Sequence, residues 1–173
     1  MTQLHPTSAP DLSHTAFVAA NATVMGNVSL GHGSSIWYNA VVRGDVEGIT
    51  IGKYSNIQDG AILHGDPGSP TILEDYVTVG HRAVIHSAHI ETGCLIGIGA
   101  IILDGVRVGE GSIVGAGSVV TKDVQERSLV VGIPARKIKE VSQEQAEELL
   151  EHARKYEKLA RVHAGTGTDL GFK

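Results

Sequence analysis

Histidine is the residue type in this sequence best suited to chemistry, since the 173-residue chain has nine of them. Three of them are His64, His81 and His86, and four residues separate the last two. Neutral imidazole is a common ligand of zinc and other transition metals, and three such ligands leave one position open for water. The single cysteine, Cys94, excludes an internal disulfide framework and a cysteine-rich zinc module. A zinc site would therefore have to be built from histidines that the fold brings together.

The elements that could position these histidines follow from a repeat of aliphatic residues. Most repeating positions are six residues apart; the exceptions are steps of nine after Val42, ten after Leu63 and five after Ile85. An amphipathic helix has a period of 3.6 and an ordinary strand a period of 2, so neither explains the pattern. The repeating residues are Leu12, Val18, Val24, Leu30, Ile36, Val42, Ile51, Ile57, Leu63, Leu73, Val79, Ile85, Ile90, Ile96, Ile102, Val108, Val114 and Val120.

A six-residue repeat is typical of a hexapeptide parallel β-helix, in which each unit forms one short strand and one corner. The aliphatic side chain points inward, and glycines and other small residues allow the tight corners. Three units make one triangular coil, so the series predicts an all-β solenoid of about six coils. Aromatic residues make up only 4% of the chain, so Val, Ile, Leu and Ala must fill this core.

The repeat fades after Val120, and a helix is predicted to follow. Ser142 and Gln145 form a capping box, and apolar residues continue at helical spacing to His163. The sequence therefore predicts a β-helix with terminal cap segments over 1–141. A C-terminal α-helix over 142–163 packs alongside it, and 164–173 forms a flexible tail.

The three-unit coil also predicts which polar residues lie above one another. We call the side of the coil with Ile36, Ile57, Val79 and Ile96 face A, and the side with Val42, Leu63, Ile85 and Ile102 face B. On face B, counting places Arg43, His64 and His86 in one column, with successive coils about 4.8 Å apart. On face A, it places His81 above Asp59. Two adjacent imidazoles repel when both are protonated but can bind one cation through neutral nitrogens.

His81 and His86 leave the solenoid on different faces, so one subunit cannot easily bring all three histidines together. A three-fold oligomer removes the difficulty, because face A of one chain can meet face B of the next. Closed rings built from such head-to-tail contacts are geometrically allowed. The sequence thus predicts a homotrimer.

The combined motifs resemble those of the γ-class carbonic anhydrases and their relatives. The resemblance rests on Arg43-Gly44-Asp45, Gln58-Asp59, His64, and His81 with His86, and it extends over nearly the whole predicted solenoid. It implies a left-handed parallel β-helix. It further implies a carbonic anhydrase, a metal-dependent lyase, in which a zinc-bound hydroxide converts CO₂ to bicarbonate.

The same resemblance assigns roles to individual residues. His64 and His86 of one subunit and His81 of the next bind zinc, or iron or cobalt in its place, at three interfaces of a homotrimer. Arg43 and Asp45 form a salt bridge across that interface. Gln58 orients the metal-bound water, and Asp59 joins the hydrogen-bond network around it. Tyr156 resembles a tyrosine that shorter relatives place near the metal, although packing of the helix accounts for it equally well.

The sequence departs from the best-known active members at two positions. They carry a glutamate directly after the Arg-Gly-Asp aspartate, where this chain has Val46. They also have an acidic loop with a proton-shuttling glutamate, whereas the loop after His64 is GDPGSPT, with Asp66 as its only acid. These departures predict slow proton export and a low turnover.

Three other functions remain open from the sequence. One is a metal-dependent acyl-CoA thioesterase of the same family. A second is a hexapeptide-repeat acyltransferase that uses a single histidine as its base and leaves the three-histidine pattern unexplained. The third is a non-catalytic trimeric assembly subunit.

Composition limits the partners and the compartment. The formal net charge of −5 argues against a nucleic-acid binder that relies on phosphate attraction. The longest apolar run, Leu95–Leu103, is far shorter than the ~20 residues that span a bilayer. The first residues lack the basic and apolar regions of a signal peptide. We therefore expect a cytoplasmic protein without a membrane partner.

Overall fold

The six-residue repeat winds into a parallel β-solenoid of about six turns in the computed structural model, which describes residues 9–172. Residues 1–8 and Lys173 lie outside the described residues. The first eight include the start of the predicted 1–141 segment and of the region that lacks signal-peptide features. The strands are β1 (Phe17–Val18), β2 (Thr23–Leu30), β3 (Ser35–Ile36), β4 (Val41–Ile51), β5 (Asn56–Ile57), β6 (Ile62–His64), β7 (Thr71–Leu73), β8 (Thr78–Val79), β9 (Val84–His86), β10 (His89–Ile90), β11 (Leu95–Ile96), β12 (Ile101–Ile102), β13 (Arg107–Val108), β14 (Ile113–Val114), β15 (Val119–Val120), β16 (Ser128–Gly132) and β17 (Ala135–Glu140).

The repeating aliphatic residues form the core, as predicted. From Leu30 to Val120, every position of the repeat is buried. Of the three earlier positions, Val18 and Val24 are partly buried against this core, whereas Leu12 is exposed over 38% of its surface. It lies at the end of the stack, where described coils pack against it from one side only. The prediction that Leu12 belongs to the buried series is therefore wrong.

The vertical registers are also those that counting predicts. On face A, Ile57 pairs with Ile36 below and Val79 above, and Val79 pairs with Ile96. On face B, the pairs run from Val42 through Leu63 and Ile85 to Ile102. Each strand is hydrogen-bonded in parallel to its counterpart in the next coil, so residues at equivalent positions lie above one another.

Two glycines on face A show why the repeat needs residues without a side chain. A Cβ atom on Gly80 would lie 2.8 Å from the carbonyl oxygen of Ile96, and one on Gly97 would lie 2.6 Å from the amide nitrogen of Ala116. Both distances are too short for real Cβ contacts. Successive coils can stack at this spacing only because these positions are glycine.

The irregular steps of the repeat meet at one corner of the coil, directly after face B. The nine-residue step lets β4 run around the corner, and its two ends pair with β6 and β7. The ten-residue step forms the loop 65–70 above it, where Glu47 Oε2 accepts a hydrogen bond of 2.8 Å from the Gly68 amide. This corner follows Arg43, His64 and His86, so the irregular backbone lies beside the predicted site.

A hairpin and one helix, α1 (Gln143–His163), complete the described fold. β16 continues the face A stack on β14, and β17 pairs with β16 in antiparallel fashion. The predicted capping box is present: Ser142 Oγ accepts from the Gln145 amide, and the Gln145 side chain accepts from the Ser142 amide. The helix packs on β1, β3, β5 and β8 and therefore covers face A. Across residues 9–172, no helix has the length and apolar character needed to pass through a bilayer.

The segment after the helix folds back along it without regular secondary structure. Lys158 Nζ lies 3.0 Å from Asp169 Oδ2, and the Gly171 amide donates to the same aspartate. The Phe172 ring lies 5.3 Å from that of Tyr156, measured between centroids. The structure thus gives the predicted tail several contacts with α1, and its flexibility stays a prediction.

Candidate metal centre

Two of the three predicted ligands are direct neighbours on face B. His64 and His86 end the paired strands β6 and β9, at matching positions in the ladder. Their Nδ1 and Nε2 atoms, respectively, are 3.1 Å apart. Two zinc ligands at tetrahedral angles lie about 3.3 Å apart, so this separation fits a shared ion.

Each of the three histidines also places a ring nitrogen against a carboxylate. His64 Nε2 is 3.2 Å from Asp45 Oδ1, and His86 Nδ1 is 2.6 Å from Asp104 Oδ1. His81 Nδ1 is 2.8 Å from Asp59 Oδ2. Histidines that bind metals commonly donate their second N–H to a carboxylate, which fixes the tautomer.

The chemistry of this donor set fits a cation. If the N–H groups of His64 and His86 point to Asp45 and Asp104, then the two nitrogens that face each other both carry lone pairs. Two lone pairs 3.1 Å apart repel, and a cation between them removes that repulsion. The residues present therefore suit a transition metal held by neutral imidazoles.

His81 lies apart from this pair, on face A. Among residues 9–172, Asp66, His86 and Asp104 are the only His, Cys, Asp or Glu side chains that form a group of three with ligand atoms within 4.8 Å of one another. As the sequence predicted, one chain alone does not bring His81 to His64 and His86. The group containing Asp66 was not predicted.

A cleft of about 410 Å³ opens beside His81 between face A and α1. Gln58, Ile98, His152 and Tyr156 line it together with His81. Trp37, buried one coil below Gln58, stacks edge-on against Tyr156 with 5.8 Å between ring centroids. The predicted residues Gln58, His81 and Tyr156 are thus brought to one surface.

Gln58 is buried and held by its neighbours. Its Nε2 donates to Asn56 Oδ1 at 3.1 Å, and Asn56 Nδ2 donates to Thr78 Oγ1 at 3.0 Å. This chain of amides occupies the nitrogen end of the Gln58 side chain. The oxygen end is then the one that can accept a hydrogen bond in the cleft.

Two titratable side chains of the helix are shifted toward their neutral forms. Burial raises the pKa of Tyr156, and the negative charge of Asp59 adds to the effect. Burial lowers the pKa of His152, and the positive charge of Lys155 acts in the same direction. At neutral pH, Tyr156 therefore keeps its O–H group as a donor toward the cleft.

Arg43 and Asp45 pair within one chain, at 2.8 Å. Two residues apart along β4, they lie on the same side of the strand, and this spacing allows the contact. Burial alone would raise the pKa of Asp45, but the hydrogen bond and positive charge of Arg43 outweigh it, and the pKa is lowered. The resemblance implies a bridge between subunits, whereas the described chain already supplies the partner.

Sequence reasoning missed two residues of this region. Asp104 contacts His86 from the coil above and lies one residue beyond Leu103, which counting had placed over His86. His152 lines the cleft one helical turn before Tyr156. The i, i+4 spacing of His152 and Tyr156 was the available signal for the second residue.

Comparison with known proteins relates the chain to carbonic anhydrases. A Methanocaldococcus jannaschii protein named "Probable carbonic anhydrase" is 46% identical over 87% of this chain and 96% of its own length. The Arabidopsis thaliana protein named "Gamma carbonic anhydrase 1, mitochondrial" is 40% identical over 90% of this chain and 60% of its own length.

Structure and repeat comparisons point to the wider group of hexapeptide proteins. A Bacillus cereus crystal structure, titled as a candidate acetyltransferase, superposes with a TM-score of 0.88 at 41% identity and covers 92% of this chain and 94% of its own. Residues 87–122 match the family model described as "Bacterial transferase hexapeptide (six repeats)". Together with the site motifs, these findings show that the chain belongs to the γ-class carbonic anhydrase family of hexapeptide-repeat proteins.

Proposed function

We propose that this chain is a metal-dependent carbonic anhydrase that interconverts CO₂ and bicarbonate. The observation that carries the proposal is the matched geometry of three histidines. Each has one ring nitrogen within 3.2 Å of a carboxylate, and the other nitrogen of His64 or His86 faces its neighbour. The names of the relatives agree with this function.

The metal would be held by His64 and His86 of one subunit and His81 of the next. Zinc is the first choice for three neutral imidazoles, and iron or cobalt can occupy the same donors. The chemistry that zinc supplies on such ligands is the activation of water for attack on a carbonyl-like carbon near neutral pH.

The residues of this chain would orient the reactants around that centre. Asp45 and Asp59 hold the imidazoles of His64 and His81, and Arg43 keeps Asp45 charged. Gln58 offers its side-chain oxygen to a water molecule in the cleft. Tyr156, protonated at neutral pH, offers an O–H group to an oxygen of CO₂ or bicarbonate.

A homotrimer follows from the same arrangement. Face B carries an exposed apolar column beside its histidines, formed by the stacked outward residues of β6, β9 and β12. Ile62 and Ile101 in this column are 42% and 36% exposed, and Leu103 beside it is 42% exposed. A second copy of the chain would cover these residues and bring its His81 to the half-buried pair of His64 and His86. This explains why an apolar surface borders a polar site.

Metal analysis and CO₂ hydration test the proposal together. Protein prepared without chelator should contain about one zinc per chain, and stopped-flow measurement should detect hydration of CO₂. His81→Ala should lose both. His89→Ala is the matched control, because His89 pairs with Glu74 at 2.9 Å on the remaining face of the coil, formed by β7, β10 and β13. Trimeric protein without metal and without hydration would contradict the proposal.

An acyltransferase is the second candidate, favoured by the similarity to the Bacillus cereus structure. Such an enzyme needs one histidine as a base and no metal, so acetyl-CoA would be consumed in the presence of an acceptor amine even after chelation. We expect no such activity, because that reaction would use only one of the three carboxylate–histidine pairs and would leave the other two without a role. Metal-independent acetyl transfer that survives His64→Ala and is lost in His81→Ala would favour it.

A further inference from the structure

Asp104 makes the shortest of the three carboxylate contacts to the site histidines. Its Oδ1 atom lies 2.6 Å from His86 Nδ1, compared with 3.2 Å for Asp45 and His64 and 2.8 Å for Asp59 and His81. Asp104 lies in the coil above His86 and reaches back to it. Neither the sequence motifs nor the family resemblance assigns it a role.

The contact is made on the side of the ring opposite to the metal site. His86 Nε2 faces His64 Nδ1 at 3.1 Å, while Nδ1 faces Asp104. A neutral imidazole carries one N–H, on either nitrogen. If the proton were on Nε2, this atom could not bind a metal. A carboxylate at Nδ1 stabilises the proton there and leaves the Nε2 lone pair free.

We propose that Asp104 is a positioning residue that fixes the ring and the tautomer of His86, so that Nε2 is presented to the metal; this inference rests on the proposed function. Asp104 completes a set in which every ligand histidine has its own carboxylate. Asp45 and Asp59 serve the other two: Asp59 contacts Nδ1 of His81, as Asp104 does for His86, whereas Asp45 contacts Nε2 of His64 and leaves Nδ1 free.

The other nearby acid, Asp66, does not fill this role. Its Oδ1 atom is 4.0 Å from His86 Nε2, which is beyond hydrogen-bonding distance and on the metal side of the ring. Asp66 and Asp104 have similar side-chain exposure, 60% and 58%, so distance and direction distinguish them. The competing interpretation is that Asp66, His86 and Asp104 bind a cation by themselves within one chain.

The experiment compares Asp104→Ala with wild-type protein in two measurements. In metal-free protein, with both proteins held at the same pH, ¹⁵N chemical shifts should report an Nδ1–H tautomer for His86 in the wild type and a mixture in the variant. The zinc dissociation constant should rise by about 10- to 100-fold. Asp104→Glu, which keeps the carboxylate, should recover part of both effects.

Asp123→Ala is the matched control. It removes one exposed aspartate of the same charge, which accepts a hydrogen bond of 2.8 Å from the Arg107 amide and has no ion pair with a histidine among residues 9–172. Its zinc affinity and the His86 tautomer should match the wild type. If Asp123→Ala weakens zinc binding as much as Asp104→Ala, then general charge explains the effect and the inference is wrong.

The outcomes separate this inference from the proposed function. An altered tautomer in Asp104→Ala, in a protein that binds no zinc, supports the positioning role and overturns the metal proposal. Normal zinc binding with an unchanged tautomer and affinity in Asp104→Ala overturns the inference alone. In a third outcome, zinc stays bound when His64→Ala and His81→Ala are combined but is lost with Asp104→Ala. This would show that the acids bind the ion directly, and it would also overturn the inference.

Discussion

Face A and face B present their histidines in opposite surroundings. On face B, His64 and His86 stand side by side, with ring centroids 5.1 Å apart, at the edge of an exposed apolar column. On face A, His81 pairs with Asp59 and lies at the edge of a cleft that α1 partly covers. Among the described residues, face B therefore has two of the predicted ligands and no covering helix, and face A has one predicted ligand, a cleft and a helix.

This difference between the faces suggests how the proposed site would be divided between subunits. The helix packs on face A and leaves the outward aliphatic residues of face B exposed. If one face A meets one face B, three histidines, the cleft and the apolar column come together in a single interface. Each subunit would then supply the half that its neighbour lacks, and a ring of three would close with every face A paired to a face B.

The largest effect is expected from mixing two inactive variants. His64→Ala damages only face B and His81→Ala only face A, so each alone should lose zinc and CO₂ hydration. In co-expressed mixed trimers, an interface is intact when its face B comes from the His81→Ala chain and its face A from the His64→Ala chain. With equal mixing, about one quarter of the interfaces should regain zinc and activity.

Mixing two face B variants is the control for that experiment. His64→Ala with His86→Ala produces no intact face B in any combination, so activity should stay absent. Recovery in this control, or no recovery in the first mixture although mixed trimers form, would contradict a site shared between the two faces.

A lysine in the apolar column should separate the faces. Ile101→Lys places a charge where face B would be buried, and an unpaired buried charge costs several kcal/mol. We expect a monomer by light scattering, with a normal far-ultraviolet circular dichroism spectrum and less than stoichiometric zinc. Ile138→Lys is the control, because Ile138 is 58% exposed on β17, in the hairpin after the coils. A stable Ile101→Lys trimer would place the interface elsewhere.

The fold and the two histidine columns could be predicted because a coil of fixed length converts sequence spacing into position. Counting residues was enough to stack His64 on His86 and His81 above Asp59. The helix start was equally readable, since the capping box of Ser142 and Gln145 is a local interaction. The roles of these residues as ligands stay a prediction.

The contact between Asp104 and His86 could not be predicted, because it depends on side-chain rotamers at an irregular corner. The return of Phe172 to the helix was also hidden, since nothing periodic fixes that segment. The repeat itself contained one available signal for the position of the candidate site. Its steps of nine, ten and five residues follow Val42, Leu63 and Ile85, and so each begins at Arg43, His64 or His86. In the next coil, Leu103 occupies the equivalent position, and the step from Ile102 to Val108 has the regular length of six residues.

A smaller effect is expected from Tyr156, which belongs to the face A half alone. Tyr156→Phe removes one hydrogen bond to the reacting oxygen and keeps the ring packed against Trp37. A hydrogen bond contributes about 0.5–1.5 kcal/mol, so kcat/KM should fall by about 2- to 10-fold while zinc content and trimer mass stay unchanged. Tyr54→Phe, which alters a tyrosine stacked on Tyr76 away from the cleft, is the control. An unchanged kcat/KM would leave Tyr156 a packing residue only.

The smallest effect is expected from Phe172, in the segment that folds back on the helix covering face A. The Phe172 ring lies 6.1 Å from the His152 ring, between centroids, in an edge-on arrangement. Burial lowers the pKa of His152, so Phe172→Ala should raise that pKa toward the ordinary value of histidine, as followed by NMR titration. Leu170→Ala, at a residue that is 54% exposed, is the control and should leave it unchanged. An unaltered His152 titration in Phe172→Ala would mean that the tail is detached in solution, as the sequence alone predicted, and that α1 covers face A without it.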